Sequence, residues 1–242
     1  MTLLITLLCA TSGPQMLHGQ HVNSADEVIR KMLAHDAMRE GAIGGYTGNR
    51  EYLLVNRGFN RRAEMQVRVY CEHDGSKHFQ VLSEDGWESA NKHVLSEMLA
   101  VESASSYPDA RPKSRINFEN YSFEMVDRDV LLDGRDTYVV DVIPKRKDKS
   151  LFRGRIWVDA EDFALARVEG EPARNPSLWT RKVHFVQEYR KAGNYWFPVR
   201  TTSVTDAHVF GATEVSIRYF DYKPASPAPT GPELSLLEAF SD

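Results

Sequence analysis

Hydrophobic and polar residues alternate with two different periods along the chain. Over residues 25–40 the apolar residues recur every three or four positions, which predicts an amphipathic helix that ends at Gly41. Ser24 and Glu27 form the capping-box pattern that is typical of a helix start. From Gly45 onward the period is two, which predicts half-buried antiparallel strands.

Helical spacing returns between Glu88 and Ser105, so we expect a second amphipathic helix there. Its predicted apolar face consists of Val94, Leu95, Met98, Leu99 and Val101. Its predicted polar face, on the opposite side, includes Lys92, Glu97 and Glu102.

After this helix the pattern is almost entirely strand and turn. Seven strands are predicted, at Asn117–Leu132, Arg135–Ile143, Phe152–Asp159, Phe163–Glu171, Thr180–Arg190, Tyr195–Thr205 and Val209–Tyr222. The connections between them are too short for parallel crossovers, so consecutive strands should pair as a meander. A sheet of about 10–11 strands must curl, because open sheets rarely extend flat beyond about ten strands. We therefore predict a mainly β (α+β) fold, a half-open antiparallel β-barrel with the two amphipathic helices as a lid.

The ends of the chain differ from this central pattern. The uncharged apolar run Leu3–Ala10, followed by Gly13 and Pro14, is typical of a signal peptide and too short to span a bilayer. The alternative for this run is a buried amino-terminal strand. We predict a signal peptide over 1–20, one domain over 21–223, a proline-rich tail over 224–242, and a periplasmic location.

Composition and charge narrow the class of protein. The 242 residues are 42% hydrophobic and 26% charged, which excludes global disorder. The formal net charge of -4 provides no basic field for nucleic acid, so no nucleic-acid partner is expected. The two cysteines, Cys9 and Cys71, are too few for a disulfide framework. We also expect the protein to be a monomer.

Two stretches of the chain resemble a known family. One is the hairpin pattern of residues 153–170, RGRIWVDAEDFALARVEG, and the other is VSIRYFDY at 215–222. Together with the order of helices and strands, they resemble the LolA/LolB-type periplasmic carriers of outer-membrane lipoproteins, to which the amino-terminal domain of RseB/MucB regulators is similar in fold. The resemblance covers roughly residues 25–223.

The resemblance implies a cavity for acyl chains and a carrier that is not an enzyme and needs no cofactor. The implied partners are lipid or lipoprotein acyl chains and a membrane-anchored donor or acceptor protein. In LolA proteins an arginine near the end of an early strand helps to hold the lid shut; the comparable stretch here, Tyr70–His73, has none. The alternative within this family is an RseB-like sensor that binds lipid or lipoprotein as a signal.

The candidates for cavity lining are apolar side chains on the predicted strands and on the second helix. They are Met65, Val67, Val69, Phe79, Val81, Val94, Met98, Phe123, Met125, Trp157, Phe185 and Trp196. In an ordinary sandwich the same residues would form a filled core, and the sequence leaves open which face of the sheet is concave.

Positive charge is concentrated after Pro144, where Lys145, Arg146, Lys147 and Lys149 precede Arg153 and Arg155. Such a run is either a solvated hairpin tip or a docking patch for an anionic membrane surface or acidic partner.

Chemistry-bearing residues are densest in the segment from Cys71 to His78. Since Asp74-Gly75 predicts a hairpin turn, His73 and His78 could approach each other across it. The alternatives are a solvated turn and a zinc site, the latter with a metal-dependent hydrolase as the implied function. We expect no metal and no catalytic residues here, because two ligands on one exposed turn seldom form a site alone.

Overall fold

The computed structural model describes residues 22, 24–175, 180–207 and 211–225. The predicted signal segment at 1–20 lies outside the described residues, as does the predicted tail beyond Ala225.

The strands of the described chain form one antiparallel sheet. They are β1 (Tyr46–Asn56), β2 (Arg61–Cys71), β3 (Lys77–Gly86), β4 (Tyr121–Leu132), β5 (Arg135–Pro144), β6 (Phe152–Asp159), β7 (Leu165–Pro172), β8 (Thr180–Ala192), β9 (Tyr195–Ala207) and β10 (Gly211–Pro224). Their spatial order is β3-β2-β1-β10-β9-β8-β7-β6-β5-β4.

This order confirms the predicted meander and fold class. Strands β4 to β10 are each adjacent to the next in sequence, and the sheet continues where β10 pairs with β1. In the part of the chain that the structure describes, β3 and β4 remain as two unjoined edges. The sheet is therefore a half-open barrel with a helix-covered inner face.

Two facing glycines allow strands β6 and β7 to approach closely. Gly154 pairs with Gly170, and a Cβ atom at Gly154 would lie 2.0 Å from the carbonyl oxygen of Glu169. A Cβ at Gly170 would lie 2.4 Å from the carbonyl oxygen of Arg153. Glycine is needed at both positions because any side chain would meet the backbone of the other strand.

The first helix, α1 (Ala25–Ala42), begins at the predicted residue and ends one residue beyond Gly41, where the sequence predicts its end. The Ser24 hydroxyl accepts a hydrogen bond from the Glu27 N–H at 3.2 Å. Gly41 was predicted to terminate the helix, but it lies within the last turn, and the cap is Ile43 in extended conformation. The Ile43 N–H donates to the Arg39 carbonyl, so the end needs no left-handed glycine.

The second helical region is divided by a π-helical turn. It consists of α2 (Glu88–Ala90), the π-helical segment Asn91–Leu95 and α3 (Ser96–Ser106). Because a π-turn contains more residues than an α-turn, it shifts the face that later residues present. Leu95 and Leu99 are buried, whereas Val94 and Val101 are 39% and 55% exposed. The predicted apolar face is wrong at these two valines.

The helices cover the two ends of the inner face. Val28, Ile29 and Met32 of α1 belong to a first apolar cluster with residues of β4 to β7. Leu95 and Leu99 belong to a second apolar cluster with residues of β1, β2 and β10. Each cluster is an apolar core of its own, and the inner-face side chains of β8 and β9 lie between them.

Candidate functional site

Two rows of paired residues cross the inner face of the sheet between the two apolar clusters. The first row is Ile156, Val168, Gln187, Thr201, Ile217, Tyr52 and Met65. The second row is Gly154, Gly170, Phe185, Ser203, Val215, Leu54 and Ala63. In both rows the member from β9 is a small hydroxyl residue. The first row has large apolar side chains toward its ends, whereas the second ends in Gly154 and Gly170 on one side and in Ala63 on the other.

Between the two apolar clusters lies a strip of half-buried inner-face side chains, which we call the central cleft. Its floor consists of Phe185, Gln187, Tyr189, Thr201 and Ser203. These side chains are all half-buried, in contrast to the fully buried residues of the two clusters. Phe185 and Tyr189 are the aromatic members of the floor and pack against the first cluster. The arrangement is a strip of polar and small groups between two apolar sides.

A buried ion cluster lies beside the central cleft. Arg50 of β1 donates to Glu102 of α3 through both terminal nitrogens, with Nη1–Oε2 at 2.7 Å and Nη2–Oε1 at 2.9 Å. Lys77 of β3 donates to the same carboxylate, with Nζ–Oε1 at 2.8 Å. Arg50 is only 2% exposed, and the side chains of Lys77 and Glu102 are 27% and 34% exposed. We call these three residues the ion triad.

Aromatic groups surround the guanidinium of Arg50. Its carbon lies 5.1 Å from the ring centre of Phe79 and 4.9 Å from that of Tyr219, so the two rings flank it. Nη1 also donates to the hydroxyl of Tyr52 at 3.1 Å. The hydroxyl of Tyr219 is 3.0 Å from the Thr201 hydroxyl, which joins the ion triad to the floor of the cleft.

The ion triad is fully charged at neutral pH. Burial alone would raise the pKa of Glu102, but the charge of Lys77 and the hydrogen bonds and charge of Arg50 outweigh it and hold the pKa at about 2. Burial alone would lower the pKa of Lys77, and the Glu102 carboxylate outweighs it, so that pKa is raised. Burial raises the pKa of Tyr52 to about 12, so its hydroxyl stays protonated beside the triad.

Sequence reasoning missed this triad because its members come from three separate elements and only Glu102 was assigned a position. Glu102 was predicted on the polar face of its helix, yet it follows Leu95 and Leu99 at helical spacing and faces the sheet. Arg50 occupies an inner position of β1, two residues before the buried Tyr52. A charged residue in phase with the buried positions of a strand was the available signal.

Most of the predicted cavity residues lie on the inner face. Met65 and Val67 are fully buried in the second cluster, where Phe79 and Met98 pack against them. Val69 is 1% exposed on the same strand face.

Three further candidates, Phe123, Met125 and Phe185, pack against the first cluster. Of these, only Phe185 belongs to the floor of the central cleft.

Val81 and Val94 lie outside the central cleft. They are 43% and 39% exposed, and Val81 lines an open groove of about 420 Å³ between β3 and α3 with Phe79 and Leu99. The exposure of Val81 follows from the position of β3 at the edge of the sheet.

The two tryptophan candidates are not part of the floor of the central cleft, although Trp196 lines a pocket of about 170 Å³ with the floor residue Tyr189. Trp157 lies between the inner-face residues Ile156 and Val158, so strand alternation directs it to the outer face, where the Arg167 guanidinium lies 5.2 Å from its ring centre. There it lines a groove of about 650 Å³. Trp196 lies beside the β6–β7 turn, and its indole nitrogen donates to Asp162 at 2.9 Å.

Two residues of the basic run after Pro144 form hydrogen bonds within the protein. Lys145 Nζ donates to the Phe118 carbonyl at 2.5 Å, and Arg146 donates to the Asn120 side chain and the Lys113 carbonyl at 2.6 Å each. These bonds fasten the loop to the segment before β4. Lys147 and Lys149 are exposed, and docking at this loop stays a prediction.

The tryptophan-valine-aspartate hairpin that carries the family resemblance has a structural role. Asp159 is 1% exposed and accepts two hydrogen bonds from Arg135, at 2.5 and 2.9 Å. It also accepts from the turn amides of Glu161 at 3.1 Å and Asp162 at 2.7 Å. The aspartate therefore organises the β6–β7 turn and joins it to β5.

The segment from Cys71 to His78 forms the predicted hairpin turn. The Gly75 N–H donates to the Glu72 carbonyl, and Gly75 has φ of 82° as such a turn requires. Burial raises the pKa of the Cys71 thiol. Across residues 22, 24–175, 180–207 and 211–225, no group of three or more His, Cys, Asp or Glu side chains is placed to hold a metal ion.

Comparison with solved structures shows similarity in fold to proteins of the LolA superfamily. A lipoprotein-sorting protein domain from Vibrio parahaemolyticus, described as putative and outer-membrane, is 15% identical, with 89% of this chain and 98% of that chain covered and a TM-score of 0.45. A DUF1329 family protein from Desulfovibrio piger is 11% identical (91% and 100% covered, TM-score 0.46). A LolA superfamily protein from Nitrosomonas europaea is 12% identical (91% and 99% covered, TM-score 0.39). A crystal structure of MucB is also similar.

Other comparisons concern the chain itself. No curated protein matches it. None of the helices in the described part of the chain has the length and apolar character needed to cross a membrane. A family model described as "Uncharacterized protein" matches residues 98–228, from α3 through the end of β10. Because that match spans more than half of the 242 residues, the chain belongs to this family.

Proposed function

We propose that this chain is a periplasmic carrier that binds the acyl chains of lipids or lipoproteins in the central cleft, without covalent chemistry. The observation that carries the proposal is the division of the inner face into two apolar clusters and a half-buried strip between them. Helices cover its two ends, and between them lies a half-buried floor with apolar sides. An acyl chain laid along this floor would bury its methylenes against Phe185 and the edges of both clusters.

The small residues of the floor favour an extended apolar ligand. Thr201 and Ser203 occupy positions where a larger side chain would join the two clusters into one core. The Thr201 hydroxyl pairs with the Tyr219 hydroxyl, so it needs no water from the ligand side. A methylene group can therefore lie against Thr201 without leaving that hydroxyl unpaired.

The expected affinity suits a carrier. Burial of about ten methylenes contributes roughly 8 kcal/mol. Association and ordering offset about 3–4 kcal/mol of this, so about 4–5 kcal/mol remains, which corresponds to a dissociation constant of roughly 0.2–1 mM. A ligand held at this strength can leave for a second site of similar character, such as the expected membrane-anchored acceptor protein.

The proposal is tested by direct detection of the ligand. Native mass spectrometry of the full chain, expressed in a bacterium with residues 1–20 retained as a predicted export segment, should show adducts with the mass of lipid or acylated protein. Titration with a fluorescent fatty acid should saturate at one site per chain. A bare protein spectrum together with no saturable uptake would overturn the proposal.

Transfer separates a carrier from a lipid sensor. Loaded protein is mixed with vesicles that contain a quencher of the fluorescent fatty acid, and the rate of quenching is measured. For a carrier, the rate of quenching by the vesicles should exceed the rate at which the fatty acid dissociates from the protein into buffer alone. A rate equal to simple dissociation would contradict the carrier and leave only binding.

A further inference from the structure

The ion triad carries an excess of positive charge at the edge of the central cleft. Arg50 and Lys77 supply two cations, whereas Glu102 is the one carboxylate that both of them contact. By contrast, Asp36 of α1, whose charge acts on Tyr189 of the floor, is balanced by Arg39 at 2.9 Å. A buried surplus of positive charge is costly unless an anion approaches it.

The guanidinium of Arg50 presents a fork to its partner. Two of its nitrogens bind the two oxygens of Glu102, and its Nε is buried without a hydrogen-bond partner. The rings of Phe79 and Tyr219 fix the plane of this fork. A planar fork of this kind binds a carboxylate or a phosphate with the same geometry.

The anion in the triad is its most replaceable member. Arg50 is 2% exposed, whereas the Glu102 side chain is 34% exposed, so Glu102 lies on the solvent side of the cluster. Arg50 and Lys77 belong to the sheet, and Glu102 belongs to α3. Rotation of the Glu102 side chain toward solvent would leave both cations in place and without an anion.

From this arrangement we infer that Arg50 and Lys77 form an anion-binding pair, which Glu102 occupies in the free protein and which the anionic head of an amphiphilic ligand occupies in the complex. The head is a carboxylate or a phosphate, and the apolar chain of the same molecule extends along the central cleft. The inference rests on the proposed function, because it adds a head-group site to the acyl-chain site.

The head-group site and the floor are contiguous. The ring of Tyr219 stacks on Arg50, and its hydroxyl contacts Thr201 in the floor. Tyr219, a member of the second apolar cluster, therefore links the head-group site to the floor, and one molecule can contact both. The neutral Tyr52 hydroxyl beside Arg50 can donate a further hydrogen bond to the head.

The test compares ligands with the same chain and different heads. Affinities of the full chain for decanoate, decyl phosphate and 1-decanol are measured by displacement of a fluorescent fatty acid at neutral pH. Both anionic ligands should bind at least about tenfold more tightly than the alcohol, a ratio of a size that a charge-assisted site supplies. A preference for only one of the two anions identifies which source of the head the site favours.

Two variants give opposite expected results. Glu102→Gln removes the competing carboxylate, so decanoate should bind about tenfold more tightly while the affinity for decanol stays unchanged. Lys77→Met removes one cation and should reduce the preference for the anion. Glu97→Gln, at an exposed position of the same helix, is the matched control and should leave all three affinities unchanged.

The outcomes distinguish this inference from the proposed function. Equal affinities for decanoate, decyl phosphate and decanol, unaltered by Glu102→Gln, would overturn the anion site and leave the acyl carrier intact. No displacement by any of the three ligands would overturn the proposed function itself. A gain of affinity in Glu102→Gln cannot result from misfolding, so this arm supports the site even if Lys77→Met is unstable.

Discussion

Glu102→Gln is expected to destabilise the free protein through the loss of one carboxylate. In the native structure that carboxylate is the shared partner of Arg50 and Lys77, and Arg50 is almost fully buried. Glutamine has the same shape and retains hydrogen-bonding groups, so the substitution changes charge more than packing. The two cations would then repel each other without an intervening anion.

The magnitude follows from the pKa of Glu102. A value of about 2 in the folded protein, against an ordinary 4.5, corresponds to roughly 3 kcal/mol of stabilisation at neutral pH. Since about a third of the side chain is exposed, solvent screening reduces this to about 2 kcal/mol. For an ordered domain of this size, the melting temperature should fall by about 4–8 °C.

The pH dependence gives an independent check with a definite sign. A carboxyl whose pKa is lowered by folding stabilises the protein above its unfolded pKa, and this contribution is lost as the pH falls toward the folded value. The difference between the parent chain and Glu102→Gln should therefore be largest above pH 5 and shrink between pH 4.5 and 2. Urea unfolding followed by circular dichroism measures it, with Glu97→Gln as the control. A difference below 0.5 kcal/mol at pH 7, or one that does not change with pH, would refute the reasoning.

Further changes in the free energy of unfolding are expected for the β6–β7 turn, for the facing glycines of β6 and β7, and for the two ends of α1. Asp159→Asn should cost about 3 kcal/mol, because the buried carboxylate pairs with Arg135 and caps the turn, whereas Glu161→Gln at the exposed end of the same turn should cost less than about 0.5 kcal/mol. Gly154→Ala should lower the unfolding free energy by roughly 2 kcal/mol or more, because the added methyl group would overlap the backbone of β7. Gly41→Ala, whose methyl group meets nothing within 4 Å, should raise the unfolding free energy by about 0.5 kcal/mol. Ser24→Ala should cost about 1 kcal/mol through loss of the helix cap. Chemical denaturation decides these points. Equal values within either of the first two pairs, or an unchanged unfolding free energy in Ser24→Ala, would contradict them.

The general fold could be predicted from the sequence because its signals are local. Alternation of side chains, short turns and a capped amphipathic helix determine strands β4 to β10 and α1, and their order along the chain determines the meander. Gly41 shows the limit of a local rule. It was expected to end α1, but the extended conformation of Ile43 ended it instead.

The candidate site depends on contacts between distant segments, which local patterns do not reveal. Arg50, Lys77 and Glu102 come from three elements, and only the curl of the sheet brings them together. The π-helical turn before α3 adds a further shift, so helical periodicity alone misplaced Val94, Val101 and Glu102. Strand alternation would have excluded Trp157 from the cleft once Ile156 was assigned to the inner face.

The most direct test of ligand binding in the central cleft is a substitution that fills its floor with a large side chain. Ser203 lies between Phe185 and Val215 on the inner face, whereas the neighbouring Thr202 lies between Val186 and Ser216 on the outer face. Affinity for a fluorescent fatty acid is measured for Ser203→Trp and for the matched control Thr202→Trp, after circular dichroism has established that both are folded. We predict that Ser203→Trp binds at least about tenfold more weakly and that Thr202→Trp binds as the parent chain does. Equal affinities for the two variants would contradict binding in the cleft.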